Sequence, residues 1–334
     1  MAVKKQSYIT VFKNNTNNSN LFMKNSFSIL VALLGISVQA QVQPFIQKEE
    51  IIRIETELAS DKMEGRAIFS PGIDSASVFI EKEFKKINLS YLKDLKNYRQ
   101  EFDVKGQKAN NVIGILPGKS KPEEFVIFSA HFDHIGFAKN GEDKIYNGAN
   151  DDASGTTAVI ALAKYFKELN QNERTIIFVA FTGEEEGGFG SKFFSENMNP
   201  DSVVAMFNIE MIGTESKWGK NSAYITGFEK SDFGTILQKN LKGSNFYFNP
   251  DPYPTQQLFY RSDNARLAAQ GVPAHTISTS KMDNELTYHK VNDDIKSIDF
   301  DNMIEIIKSI AISSQTIIKA IDTPTRVEKL KPRK

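Results

Sequence analysis

From Asn110 onward the chain alternates short, almost unbroken apolar runs with amphipathic segments, and few architectures accept that pattern. "NVIGILPG", "EFVIFSA", "RTIIFVAF" and "SVVAMFNIEMIG" read as strands buried on both faces. Between them, "SGTTAVIALAKYFKEL" puts Val159, Leu162, Ala163 and Phe166 on one helical face, and "SKFFSENM" is a short helix. "SDFGTILQKNL", "SDNARLAAQG" and "FDNMIEIIKSIAISSQTIIKAI" are further helices. Such alternation predicts an α/β fold: a mainly parallel sheet covered by helices on both faces. Upstream, 45–58 and 73–87 carry apolar residues at helical spacing, with Val78, Ile80 and Phe84 facing inward. We therefore divide the chain into 1–40 (extension and leader), one catalytic domain over 41–322 with a helical prefix at 41–105, and a frayed basic tail at 323–334.

The 334 residues balance 41 Lys and Arg against 41 Asp and Glu, so no net field recruits nucleic acid or an anionic membrane. The absence of cysteine excludes disulfides, thiolate catalysis and Cys-ligated zinc; a metal would need His, Asp and Glu. Near the start, "MKNSFSILVALLGISVQAQ" has Lys24, an apolar stretch over 27–38 and a small-residue cleavage site at Ala40. The stretch is about a dozen residues, short of the roughly 20 that span a bilayer, and outlines a secretory signal peptide. The mature protein is expected to begin near Gln41, to be periplasmic or extracellular, and to keep no stable membrane association. Met23 is an alternative start to Met1.

Polar residues gather where the apolar runs end. "FSAHFDHIG" places His131, Asp133 and His134 after one run, and "YNGANDDASG" carries Asp151 and Asp152 into a helix start. "FTGEEEGGFGS" sets Glu184, Glu185 and Glu186 after another, and "MFNIEMIG" holds Glu210 in apolar surroundings. "LTYHKVNDD" adds Tyr288 and His289. Each has a plain alternative, since a Glu run is usually a solvated face and Asp is a favoured helix cap. Together, however, two His and several carboxylates without Cys suit a pair of zinc-type ions, with one glutamate left over as base beside an acidified water.

With "SDNARLAAQGVPAHTIS" and "LASDKMEGRAIFSPG", these stretches resemble the co-catalytic dizinc aminopeptidases of metallopeptidase family twenty-eight in order and spacing over roughly 105–320. The resemblance implies a three-layer αβα sandwich, phosphorylase/hydrolase-like, with a mixed sheet parallel at its centre. It implies two Zn²⁺ per chain, and peptide substrates with a free N-terminus. His131 and His289 would be terminal ligands, Asp151 the bridging carboxylate, and Glu185 and Glu210 the remaining metal ligands. Many relatives carry Asp where Glu210 stands. Glu184 would be the general base acting on a metal-bridging water, Asp133 the partner of the second ring nitrogen of His131, and Tyr288 a donor to the oxyanion. Glu186 would be solvated, His134 would line the site, His275 would be a satisfied core histidine, Asp263 a helix cap, and Asp152 a support for its loop. The expected protein is thus a secreted metallopeptidase. The alternatives are a glutaminyl-cyclase-like single-zinc transferase, carboxypeptidase specificity on the same fold, or a binding module with a decayed site.

Overall fold

Arg174–Phe181 is buried at every position, as a strand must be when helices cover both faces of its sheet. The structure, a computed structural model, describes residues 45–331. Among them, eight strands form one sheet in the order β1-β2-β4-β3-β5-β8-β6-β7. They are β1 (Arg99–Val104), β2 (Gln107–Leu116), β3 (Lys121–His131), β4 (Arg174–Phe181), β5 (Val203–Ile209), β6 (Ser222–Ile225), β7 (Tyr247–Pro250) and β8 (Ala274–Ser278). β4, β3, β5 and β8 run parallel, while β1 and β2 add antiparallel strands on one side and β6 pairs antiparallel with β8 on the other. The sheet is therefore mixed with a parallel centre.

Register brings Phe128 of β3 level with Phe178 of β4 and Phe207 of β5. Their rings stack at 5.8 and 4.8 Å, and Phe166 adds a fourth ring at 5.4 Å. That face carries α1 (Lys48–Leu58), α2 (Pro71–Ile87), α3 (Ser154–Leu169), α5 (Phe233–Asn240) and α7 (Phe300–Ser313). α4 (Phe189–Glu196) and α6 (Ala265–Ala269) cover the opposite face over Ile127, Val179 and Phe181, which completes three layers. Among the described residues no helix is long and apolar enough to cross a membrane, and the leader lies outside them.

Several details differ from the sequence reading, each for a physical reason. On α2 the buried stripe is Ala76, Ile80 and Phe84, four residues apart, and Val78 sits half-buried on its flank. The expected long last helix breaks at Ser314, leaving α8 as Gln315–Ile318. The Ser314 hydroxyl donates to the Ile310 carbonyl at 2.7 Å, competing with the helical ladder. The segment 41–105 holds β1 as well as two helices; its alternating burial marks an edge strand with one wet face. The tail is not frayed over its described part. Arg326 donates to the carbonyls of Val203 and Pro200, Leu330 N donates to Ala269 O, and Val327 is buried.

α1 and α3 meet around a buried acid. Glu55 is fully buried and accepts from Thr157 Oγ1 at 2.7 Å, and burial pushes its carboxyl up to about 8. The folded chain then holds a proton that the unfolded chain releases from about pH 4.5 upward, so this group lowers stability as pH rises towards 8. Glu55→Gln removes that slope. Urea unfolding should show the variant gaining on the wild type by on the order of 2–4 kcal/mol between pH 5 and pH 8. A difference that stays flat over this range would mean Glu55 is ionised in the folded protein.

Candidate metal centre

β3, β4, β5 and β8 end on one edge of the sheet. The chain passes from β3 to β4 on one side, then crosses back to β5 on the other, so the strand order reverses between β3 and β5. Open α/β sheets bind ligands in the crevice at such an edge. His131 is the last residue of β3, Glu184 and Glu185 follow β4 after the turn at Thr182 and Gly183, and Glu210 follows β5. His289 and Tyr288 arrive on the loop between β8 and α7.

Asp151 sits in the tight turn Ala149–Ala153 that opens α3, where the Asp151–Asp152 peptide is cis. Buried Asp293 accepts from the main-chain N–H groups of Asn150 and Asp151 at 2.9 and 3.0 Å. Only glycine fits at 148: its φ is +57°, and a Cβ would lie 2.4 Å from the Asp151 carbonyl and 2.6 Å from the His134 ring. Asp152 supports the loop as expected, accepting from Gly155 N and Met211 N with one oxygen.

Around Asp151 the side chains converge. Oδ1 lies 3.3 Å from His131 Nε2, and Oδ2 lies 3.3 Å from His289 Nε2. His289 Nε2 is also 3.0 Å from Glu185 Oε2. Yet both Nε2 atoms, Asp151 Oδ2 and Glu210 Oε2 are buried with no partner in hydrogen-bond geometry. Two ligands of a tetrahedral zinc, each about 2.0–2.1 Å from it, stand about 3.3 Å apart, so the spacing and the unused lone pairs fit shared cations. Glu184 and Tyr288 line the same cleft of about 580 Å³, and the Tyr288 ring stacks on His289 at 3.8 Å. Glu186 is exposed.

Electrostatics point the same way. Burial pushes Glu184 well above the usual carboxylate range, helped by Glu210, Asp263 and Asp133, and burial raises Glu210 as well. Burial works against ionised Asp151 and Glu185 too, but His131 and His289 hold the first low, and His134 and His289 the second. Contacts with Asp151 and Glu185 raise His289 to about 10. Several acids packed around so few cationic groups either hold protons or meet added positive charge, and divalent ions would supply the latter.

Three residues behave differently from their sequence reading. Asp133 was expected to hold the second nitrogen of His131; its carboxylate stays 3.7 Å away, and the nearer acceptor is its own carbonyl at 3.2 Å. The carboxylate instead accepts from the N–H groups of Glu184 and Glu185 at 3.2 and 3.3 Å, gripping the backbone of the Glu pair. His134 does more than line the site, since Nδ1 lies 2.8 Å from Glu185 Oε1. Asp263 caps no helix. It is buried with neither oxygen in a well-formed hydrogen bond, and burial lifts it to about 7. His275 is the satisfied core histidine foreseen: Nδ1–H donates to the Thr226 carbonyl, Nε2 accepts from Ser231, and burial lowers it to about 4.

Arg66 and Asp293 escaped the sequence reading altogether. Fully buried Arg66 donates to the carbonyls of Phe132 (2.7 Å), Leu58 (2.6 Å), Asn147 (2.6 Å) and Gly148 (2.8 Å). It ties the end of α1 to the exit of β3 and to the turn before Asp151. Its one local signal was an arginine in a Gly-containing loop.

The family model for Peptidase family M28 matches residues 111–312, more than half of the chain. The chain belongs to peptidase family M28. This M28 chain is 27% identical over 246 residues to a probable leucine aminopeptidase of Trichophyton verrucosum (strain HKI 0517), covering 70% of this chain and 63% of that one. It spans less than two thirds of the length of the curated relatives it matches. Its fold is that of BSAP, a zinc aminopeptidase from Bacillus subtilis, with TM-score 0.68 and 14% identity over 87% of this chain and 100% of that one. Porphyromonas gingivalis glutaminyl cyclase shares the fold at TM-score 0.64 and 14% identity, over 82% of this chain and 99% of that one.

Proposed function

We propose that the protein is a two-zinc aminopeptidase that removes N-terminal residues from peptides bearing a free α-amine. The observation that carries this reading is Asp151, whose two oxygens face two different imidazoles at 3.3 Å each. A carboxylate so flanked suits a bridge between two ions, with His131 and Glu210 completing one and Glu185 and His289 the other. When bound, a zinc pair acidifies a water and polarises the scissile carbonyl.

The remaining work belongs to the chain. Glu184, half-buried at the cluster and with a raised proton affinity, takes the proton of the attacking water and returns it to the leaving amine. Asp133 holds the main chain of Glu184 and Glu185, so base and ligand keep their relative placement. His134 donates to Glu185 Oε1, which leaves Oε2 free for metal. With Nδ1 engaged by Glu185 Oε1, His134 acts as a positioning residue for that ligand. Tyr288 is raised by burial and by the nearby acids, keeps its proton, and donates to the oxyanion as the carbonyl becomes tetrahedral. Export rests on the leader at 23–40.

The test is zinc content per chain together with a substrate panel: leucine 4-nitroanilide, its N-acetyl form, a C-terminally cleavable blocked peptide and a peptide starting with Gln. Two zincs and cleavage of free-amine substrates alone are expected. One zinc with cyclisation of N-terminal Gln would replace this reading with a glutaminyl-cyclase-like transferase. Release of the C-terminal residue from the blocked peptide would make it a carboxypeptidase.

A further inference from the structure

Arginines in this fold are almost all occupied. Arg53, Arg66, Arg99, Arg174 and Arg326 each grip a carboxylate or a main-chain carbonyl within 2.9 Å. Arg266 reaches the Gly187 carbonyl at 3.3 Å. Arg261 is different. Among the described residues this exposed side chain makes no ion pair, and its one side-chain hydrogen bond is a long one to Gln256 Oε1 at 3.5 Å. Its main chain is nonetheless anchored: Arg261 N donates to the Leu258 carbonyl at 3.1 Å, and Asn208 of β5 donates to the adjacent Ser262 hydroxyl at 2.8 Å.

The place of this free guanidinium gives it meaning. Arg261 lines the cleft that also holds Asp151, Glu184, Glu185 and Glu210, and it is the one basic side chain among those lining it. In the proposed reading those acids are taken up by the ions and the general base, which leaves Arg261 as the charged side chain of the cleft available to substrate, and a guanidinium fork favours a planar anion, above all a carboxylate.

We propose that Arg261 reads a carboxylate on the substrate, so that the enzyme favours peptides that present one within reach of the cleft. This rests on the aminopeptidase reading and narrows its substrate class. The carboxylate has two possible sources, the C-terminus of a very short peptide or an acidic side chain on the N-terminal residue, and the recognising chemistry is the same for both.

Two substrate pairs separate the sources. Leu-Gly against Leu-glycinamide isolates the C-terminal carboxylate, and glutamyl against glutaminyl 4-nitroanilide isolates the side chain. In the zinc-loaded wild type, kcat/KM should favour the charged member of one pair by about two- to fivefold, the scale of one contact made by an exposed guanidinium. Arg261→Gln should bring that ratio to about one, and Arg261→Lys should keep part of it. A ratio taken within one preparation is insensitive to the fraction of correctly folded enzyme, so misfolding cannot imitate the result. Wild-type ratios near or below one in both pairs, or a preference that Arg261→Gln leaves intact, would overturn the inference while free-amine cleavage keeps the parent reading alive. If no free-amine substrate is cleaved at all, the parent reading fails and this one falls with it.

Discussion

Glu184→Gln is expected to lower kcat by roughly 10²–10⁴-fold while zinc stays bound. The amide keeps the size of the carboxylate but cannot take up a proton, and Glu184 is not among the side chains whose donor atoms cluster around Asp151. Glu185→Gln supplies the contrast. Its Oε2 lies 3.0 Å from His289 Nε2 and its Oε1 accepts from His134, so that variant should lose metal first and activity as a consequence. Zinc analysis after dialysis, run beside turnover of leucine 4-nitroanilide, distinguishes the two. Metal loss in Glu184→Gln with retention in Glu185→Gln would mean the adjacent glutamates have exchanged roles. Full activity in Glu184→Gln would remove the proposed base.

Arg66→Met should cost about 3–5 kcal/mol of folding stability and weaken zinc binding as well. Methionine replaces the stem of the side chain but none of its donors, leaving the carbonyls of Leu58, Phe132, Asn147 and Gly148 with lost partners in a buried place. Relief of the buried charge offsets part of the loss, and for that reason the estimate stays below the sum of four broken bonds. Asn147 and Gly148 lead directly into the turn that aims Asp151, so slack there reaches the metal cluster. Urea unfolding and zinc competition with a chelator read the two effects separately. Arg66→Lys, a single charge in place of a fork, should fall between. A Met variant within about 1 kcal/mol of wild type, with unchanged zinc affinity, would mean that Arg66 is packing and not a tie.

These two sites differ in how far the sequence announced them. Glu184, Glu185, His131 and Glu210 each stand at the end of an apolar run, and a charged residue at a strand's carboxyl end is conspicuous on its own. Arg66 has no such setting. Three of its four acceptors lie 66 to 82 residues further along the chain, beyond any local pattern. Asp293 likewise supports main-chain groups 142 and 143 residues before it. In sequence, the neighbours of His134 and Asp263 suggest a bystander and a cap, whereas in the fold His134 meets Glu185 and Asp263 is buried with its charge felt by Glu184.

By itself, then, the sequence determined the layers, the parallel centre and the strand ends on which the acids and histidines sit, because burial imposes its period on consecutive residues. Only the tertiary structure decided which oxygen of Asp151 faces which imidazole, where the Asp133 carboxylate places its hydrogen bonds, and that Arg261 has no ion pair among the described residues. Those outcomes depend on contacts between segments distant in the chain, whose geometry exists only once the sheet has assembled and no stretch of sequence can encode alone.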